Sequence, residues 1–245
     1  MRFRNVYTSL GLGLVGAGVG LTPVFYLLLR SVPLTALGIS MLILGAVCFA
    51  LGRACPRIPP EASALLLETG LENMAALVEE LGLRSKAIYL PSVLTNGRPQ
   101  ALIPLHSNPS LPEINKALPQ RLIVKYGPNP EDIGLLVTTP GSATPGMLEA
   151  KPGATSSEME AALTSVLAGV LDLADGVSIN KSGEIVGIVV SHPRLEYKNM
   201  QLYQNLGSPL ASIVASITAE ALNQPLIVER EEYKQGECHI ELRLV

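Results

Sequence analysis

Residues 9–52 read SLGLGLVGAGVGLTPVFYLLLRSVPLTALGISMLILGAVCFALG, and this stretch determines how the rest of the chain is organised. It contains two uncharged segments, residues 9–29 and 33–52, separated only by Arg30, Ser31 and Val32. A helix needs about 20 apolar residues to cross the hydrocarbon core of a bilayer. Because the connection allows only a tight turn, the sequence predicts two antiparallel transmembrane helices over these segments.

Two other interpretations of the apolar segments fit less well. The first is that both segments are helices buried in the core of a soluble domain, but two uncharged segments of this length are rare in soluble domains. A cleaved signal peptide is the second, but its apolar region is shorter and no second apolar segment follows it at once. The prediction is therefore a transmembrane hairpin at residues 1–52.

Charge is distributed unevenly along the chain, whose 245 residues carry a formal net charge of −3. The first 57 residues contain five arginines and no acidic residue, whereas 13 basic and 21 acidic residues follow and give the remainder a charge of −8. Four arginines lie outside the two apolar segments and one lies between them: Arg2, Arg4, Arg53 and Arg57 against Arg30. The positive-inside rule predicts a multi-pass protein of the cell membrane with both termini in the cytoplasm.

Small residues recur at helix-packing intervals in both apolar segments. Gly16 and Gly20 form a GxxxG pair in the first, and Gly38 and Gly45 lie seven residues apart in the second. Small residues let helices approach closely in lipid, so we expect these glycines either to pack the hairpin helices together or to mediate homo-oligomerisation. Neither segment contains Asp, Glu, Lys, Arg or His, which argues against ion transport by the hairpin alone.

The rest of the chain reads as a proline-rich linker followed by one cytoplasmic α+β domain. Hydrophobic periodicity predicts three helix–strand–strand units and one further strand pair in that domain. Consecutive hairpins imply a mostly antiparallel sheet covered by helices. The segments are residues 53–60 for the linker, 61–245 for the domain, 61–105, 156–190 and 207–244 for the three units, and 121–126 with 133–138 for the pair.

Capping residues mark one helix start and one alternative. Ser156 or Ser157 would cap a helix that runs to about residue 174. If Thr144 capped a helix with Pro145 at its first position, the loop would present amide hydrogens to an anion, but it lacks the lysine of a P-loop and an ordinary turn is the favoured interpretation.

Three histidines are the candidate functional residues. His106 and His192 each follow a predicted strand, where loops often carry sites. His239 lies between Glu237 and Glu241 on the polar side of the last strand, which gives it the donor types of a metal site. The competing interpretations are polar turns for the first two and a solvated strand face for the third. No nucleophile–base motif is present, so the sequence predicts neither a catalytic residue nor a cofactor.

Two longer stretches and two short ones carry a resemblance. GSPLASIVA at Gly207–Ala215 and NQPLIVE at Asn223–Glu229 resemble the closing helix–strand unit of uncharacterised archaeal membrane-anchored proteins. IYLP at Ile88–Pro91 and LIPL at Leu102–Leu105 are similar to the same group, which is known only as a domain of unknown function. The resemblance implies an N-terminal transmembrane hairpin, a C-terminal α+β domain and an archaeal source, and it implies no activity.

An acidic domain on a short anchor, without a catalytic motif, predicts a non-enzymatic interaction or scaffold module. The expected partners are the lipid bilayer and either another protein or a second copy of the chain. Nucleic acid is disfavoured as a partner because a charge of −8 repels phosphate and no Phe or Trp follows residue 57 to stack on bases.

Two alternative functions stay open. A small-molecule sensor would have a pocket between the sheet and the helix at residues 207–222. An enzyme of unknown class that uses His106 or His192 would need both histidines in one deep pocket beside a carboxylate.

Overall fold

A computed structural model describes residues 6–54, 60–106, 114, 116–195 and 201–245. Most of the predicted linker at 53–60 lies outside the described residues, as do Arg2, Arg4 and Arg57, on which the predicted orientation partly depends. The chain forms two compact units, Met1–Gly70 and Leu71–Val245. The second unit begins later than the predicted domain, which starts at Glu61.

Two apolar helices make up most of the first unit. α1 spans Val6–Leu27 and α2 spans Val32–Ala54, which confirms the prediction of two apolar helices. Both are long and apolar enough to cross a membrane, and only 11% of each apolar stretch is buried. α1 ends two residues earlier than predicted, in a turn where Arg30 takes a left-handed φ of 44° and the Ser31 N–H donates to the Phe25 carbonyl (3.3 Å).

Glycines on α2 bring its backbone into contact with α1. A Cβ atom added at Gly38 would stand 2.5 Å from Thr22 Oγ1, and one added at Gly45 would stand 2.8 Å from the Val15 amide nitrogen. Neither position has room for a side chain. The two helices therefore pack through direct backbone approach, which is the usual way for helices to associate in lipid.

The glycines of α1 that face α2 are not the GxxxG pair. A Cβ atom at Gly11 would stand 2.8 Å from the Phe49 amide nitrogen, and Gly18 is equally buried. A Cβ atom added at Gly16 or at Gly20 would have nothing within 4 Å. The hairpin contact therefore uses glycines seven residues apart on each helix, a spacing that keeps them on one face, and the GxxxG pair lies outside this contact.

The second unit contains one eight-stranded sheet, and its strands match the predicted segments. They are β1 (Ile88–Leu90), β2 (Gln100–Pro104), β3 (Ile123–Lys125), β4 (Ile133–Val137), β5 (Gly176–Ser182), β6 (Ile185–Ser191), β7 (Leu226–Lys234) and β8 (Glu237–Leu244). The order in space is β3-β4-β2-β1-β7-β8-β6-β5, and every neighbouring pair is antiparallel. The predicted α+β fold class is confirmed.

One face of the sheet and the helices share the main hydrophobic core. The helices are α3 (Pro60–Glu80), α4 (Ser156–Thr164), α5 (Gln201–Leu206) and α6 (Pro209–Leu222). α6 is buried at every residue from Leu210 to Ala221. Cys238, Ile240 and Leu242 of β8 point into this core, so the predicted alternation of the last strand is confirmed.

A second, smaller core covers the opposite face of the β1–β4 half of the sheet. Ile88, Leu102 and Leu136 lie in it, and Ile114 and Leu118 from the connection between β2 and β3 cover them. Sequence periodicity does not reveal this layer, because the residues that precede β3 have no regular apolar repeat.

The start and end of α4 differ from the prediction. Thr155 caps the helix: its hydroxyl accepts from the Glu158 N–H (3.3 Å), while the Glu158 carboxylate accepts from the Thr155 N–H (3.2 Å). This reciprocal capping box satisfies two free amides at once, so Ser156 and Ser157 lie inside the helix. α4 ends at Thr164 and continues as a π-helical turn, Ser165–Val170.

No helix begins at Thr144, so the alternative interpretation as an anion-binding helix start is not supported. A 3₁₀ segment, Pro140–Met147, begins earlier, with Thr139 as its cap, and Pro145 lies within it. Thr144 is buried and its hydroxyl donates to the Gly141 carbonyl (2.8 Å), so it cannot serve as the first residue of an anion site. α5 was not predicted from the sequence.

Candidate functional site

A polar cleft of about 570 Å³ lies at one end of the sheet. It opens between the loop before β5, the loop after β6 and the turn that joins β7 to β8. The described residues that line it are Asp175, His192, Pro193, Arg194, Tyr233, Lys234, Gln235, Gly236 and Glu237. It includes one of the three predicted site residues, His192.

Backbone hydrogen bonds fix the walls of the cleft. The His192 N–H donates to the Gly236 carbonyl (2.8 Å), and the Arg194 N–H donates to the Leu173 carbonyl (2.8 Å). The loop after β6 is therefore joined to the β7–β8 turn and to the loop before β5. The cleft is preformed, because its walls do not depend on a ligand for their position.

The β7–β8 turn gives the cleft its shape. Gln235 and Gly236 both have positive φ, 52° and 84°, which is the signature of a tight two-residue hairpin turn. The His192 ring lies against Gly236, with Cδ2 3.6 Å from the position that a Cβ atom would take there. That distance is an ordinary van der Waals contact, so the positive φ of Gly236, and not the imidazole ring, is the reason for glycine there.

Charged side chains in the cleft pair with one another. The Arg194 guanidinium contacts the carboxylate of Asp172 and, at 2.5 Å, that of Asp175. Asp175 also lies 3.3 Å from Nδ1 of His192. These side chains are about half exposed or more, so each ion pair contributes only about 0–1 kcal/mol to folding.

Hydroxyl and thiol groups are scarce in the cleft. Among the described residues that line it, Tyr233 supplies the only hydroxyl group, and there is no Ser, Thr or Cys side chain to act as a nucleophile. Cys238 lies nearby on β8, but burial raises the pKa of its thiol to about 12, so it stays protonated and unreactive at neutral pH.

His106 is remote from the cleft. It follows β2 and is exposed. Three strands separate β2 from β6, so the two strands lie about 19 Å apart at about 4.8 Å per strand. His106 and His192 therefore do not share the single pocket that the enzyme hypothesis required.

His239 lies on the solvent side of β8, and its Nε2 is 3.5 Å from a Glu237 carboxylate oxygen. Its cross-strand neighbour on β7 is Glu232. In the part of the chain that the structure describes, no cluster of three or more His, Cys, Asp or Glu side chains is arranged to hold a metal ion.

The solvent side of β7 and β8 carries a ladder of charges, which we call the open strand face. It consists of Arg230, Glu232, Lys234, Glu237, His239, Glu241 and Arg243. Lys234, together with Arg230, lowers the pKa of Glu232 below its ordinary value. This surface carries charges of both signs and is accessible to solvent.

The outer strands of the sheet are protected against pairing with another chain. At one edge, the Glu160 carboxylate of α4 accepts from the Ile179 N–H of β5 (3.2 Å). At the other edge, β3 has only three residues. Capped and short edge strands are common protections against edge-to-edge association, so strand addition is not the favoured mode of partner binding.

A buried carboxylate joins α6 to the loop after β1, and no sequence pattern indicates it. Glu220 accepts from the Ser92 N–H (2.8 Å) and from the Ser92 hydroxyl (2.7 Å), and Lys151 Nζ lies 3.5 Å away. Glu220 is only 7% exposed. Its partners come from distant parts of the chain, so local patterns could not reveal it, and its role is structural.

Comparisons with known proteins identify the family and nothing further. No curated protein matches the chain, and no solved structure matches it. The family model described as "Domain of unknown function (DUF7982)" matches residues 1–244, which includes both the hairpin helices and the whole sheet. The chain belongs to this family of unknown function.

Proposed function

We propose that this protein is a membrane-anchored, non-enzymatic interaction module. The hairpin α1–α2 holds it in the bilayer, and the acidic α+β domain binds a protein partner or a second copy in the cytoplasm. The observation that carries the proposal is the exposed apolar surface of the hairpin. An archaeal source belongs to the same proposal and rests on the resemblance alone.

The dimensions of α1 support insertion across a bilayer. Tyr7 and Tyr26 are both half-exposed or more, and they lie 19 positions apart, which corresponds to about 28 Å of helix at about 1.5 Å per residue. That length is close to the hydrocarbon thickness of a bilayer, about 30 Å. Tyrosines favour the two membrane interfaces, so this spacing suits a helix that crosses once.

The domain supports binding better than catalysis. The charged groups of the cleft neutralise one another, and the described lining offers no activated nucleophile. The open strand face adjoins the cleft through Lys234 and Glu237, which belong to both. Together they form one polar surface on which a protein partner of mixed charge could dock, while both sheet edges are protected.

Anchoring and orientation can be tested with single cysteines. The native Cys48, Cys55 and Cys238 are replaced by alanine, and one cysteine is introduced at Leu29 in the hairpin turn or at Ser182 in the domain. A membrane-impermeant maleimide should label the Leu29→Cys variant in intact cells and the Ser182→Cys variant only after lysis. The reverse pattern would overturn the orientation, and release of the chain by alkaline carbonate would overturn the anchor.

Partner binding can be tested by site-specific photo-crosslinking. A photoreactive phenylalanine at Glu241, on the open strand face, should give a discrete crosslinked species in membranes. The matched control places it at Val93, which is 58% exposed but lies elsewhere on the domain. Equal products from both positions, or none from Glu241, would contradict an interaction role for this face.

Small-molecule sensing is the second candidate. The pocket was expected between the sheet and the helix at residues 207–222, but α6 is buried at every residue from Leu210 to Ala221, so the cleft at the β7–β8 turn is now the proposed site. Ligand pockets commonly measure about 300–1,000 Å³, a range that includes this cleft. Charged metabolites should raise the melting temperature of the full chain. An Arg194→Gln variant should abolish that shift, because it removes the pairing that orders both aspartates. An unchanged shift in the variant would exclude the cleft as the sensor site.

A further inference from the structure

A second cavity, of about 530 Å³, lies at the turn of the hairpin. Arg30, Ser31 and Thr35 supply polar groups to its wall, and Tyr26 lies beside them. Apolar side chains of both helices, such as Ile39, complete the lining. The cavity therefore combines a cationic end with an apolar side, which suits an amphipathic ligand.

The position of this cavity along the hairpin corresponds to the headgroup layer of a bilayer. Arg30 and Arg53 flank α2 and are 23 residues apart, which is about 35 Å along a helix. The hydrocarbon core is about 30 Å thick, and the bilayer with its headgroups is about 40–45 Å thick. Both arginines thus fall beyond the hydrocarbon, at the depth of lipid phosphates.

The Arg30 guanidinium is available for a ligand. Among the described residues, none forms a hydrogen bond or an ion pair with it. Arg53, at the other end of α2, lies over the Phe49 ring at 5.2 Å from its centre and so already has a partner. The guanidinium of Arg30 has five donors and matches the geometry of a phosphate.

The backbone at Arg30 points to a use for its side chain. Arg30 is the left-handed residue of the turn that follows α1, a position where glycine is the usual residue because it adopts positive φ without strain. Glycine would thus serve the turn better than arginine does. An unfavourable residue at such a position is a reason to look for function in its side chain.

We propose that this cavity binds the phosphate of an anionic membrane lipid, with Arg30 as the principal donor and the Ser31 hydroxyl as a second. The apolar lining favours a lipid over free phosphate, because it can contact the glycerol and acyl portions of the molecule. This inference rests on the proposed membrane anchoring and adds a preferred class of lipid to it.

The test uses the full chain in detergent, with dioctanoyl phosphatidylglycerol as the probe and native mass spectrometry as the readout. Arg30→Gly removes the cation and keeps the turn, because glycine suits the left-handed position. We expect it to weaken binding of the probe about tenfold or more. Arg30→Lys keeps the charge and should weaken binding only about two- to threefold. Arg53→Gln, the matched control, should bind the probe as the native chain does.

Two further ligands show whether binding of the probe depends on its phosphate, on its acyl chains or on both. Dioctanoylglycerol, which lacks phosphate, and inorganic phosphate, which lacks acyl chains, should each bind at least about tenfold more weakly than the probe. Equal binding of the probe by the native chain and the Arg30→Gly variant would overturn the inference, as would equal binding of inorganic phosphate. Membrane insertion is measured separately by carbonate extraction, so a failure of anchoring is distinguishable from a failure of lipid selection.

Discussion

Replacing Gly45 by alanine should loosen the hairpin, whereas the same change at Gly16 should not. A Cβ atom at Gly45 would stand 2.8 Å from both the amide nitrogen and Cγ2 of Val15, and 3.0 Å from the Gly11 carbonyl oxygen. Ordinary contacts are about 3.5–4.0 Å. At Gly16 the same atom meets open space.

The magnitude follows from that geometry. The helices must separate locally by about 0.7 Å to admit the methyl group, and a gap of 0.5–1 Å forfeits about a quarter to a half of each dispersion contact. Overpacking of this kind costs about 1–3 kcal/mol. The equilibrium between packed and separated helices should therefore shift about 5- to 150-fold for Gly45→Ala and remain unchanged for Gly16→Ala.

Pulsed electron paramagnetic resonance on the chain in lipid nanodiscs can measure this shift. Spin labels at Leu12 and Val47, which are 62% and 50% exposed, report the separation of the helices. The native chain and Gly16→Ala should give one narrow distance distribution, and Gly45→Ala should add a longer, broader component. Identical distributions for the two variants would refute the reasoning, because they would show that close backbone approach at Gly45 does not hold the hairpin together.

Three further predictions concern the domain. Tyr89→Phe removes a buried hydrogen bond to the Leu206 carbonyl (2.6 Å), so the free energy of unfolding measured in urea should fall by about 1–3 kcal/mol; no change would contradict this. Glu220→Ala leaves the Ser92 amide and hydroxyl without their acceptor and should lower the melting temperature of the chain. Glu220→Gln keeps one acceptor oxygen and should lower the melting temperature less. The raised pKa of Cys238 means that the folded state favours the neutral thiol. Its contribution to stability is therefore full below about pH 9 and declines as the pH rises towards about 12. Alkylation of Cys238 at pH 8 should be negligible until the chain unfolds.

Local signals in the sequence were sufficient to predict the strands and most helices. Gly183, at the β5–β6 turn, and Gln235–Gly236, at the β7–β8 turn, adopt the positive φ that tight hairpins require. The capping box of α4 was also present in the sequence as Thr155-Ser-Ser-Glu158, so its start could have been predicted correctly.

Features that depend on distant parts of the chain were not predictable. The cleft forms where three separate loops meet, and its ion pairs join Arg194 to residues about 20 positions earlier. Periodicity within α1 also could not show that Gly11 and Gly18, and not the GxxxG pair, contact α2. Which glycines make the contact depends on the face of α1 that is turned towards α2. Tertiary packing decides such cases, and a single sequence contains no direct record of it.

The pairing of β1 with β7 has a consequence for how the chain is made. Ile88 pairs with Ile227, which the ribosome adds 139 positions later. At about 5–20 residues per second, the first strand waits roughly 7–28 s for its neighbour. Until then the side of β1 that pairs with β7 has no partner strand, although its other side can already pair with β2.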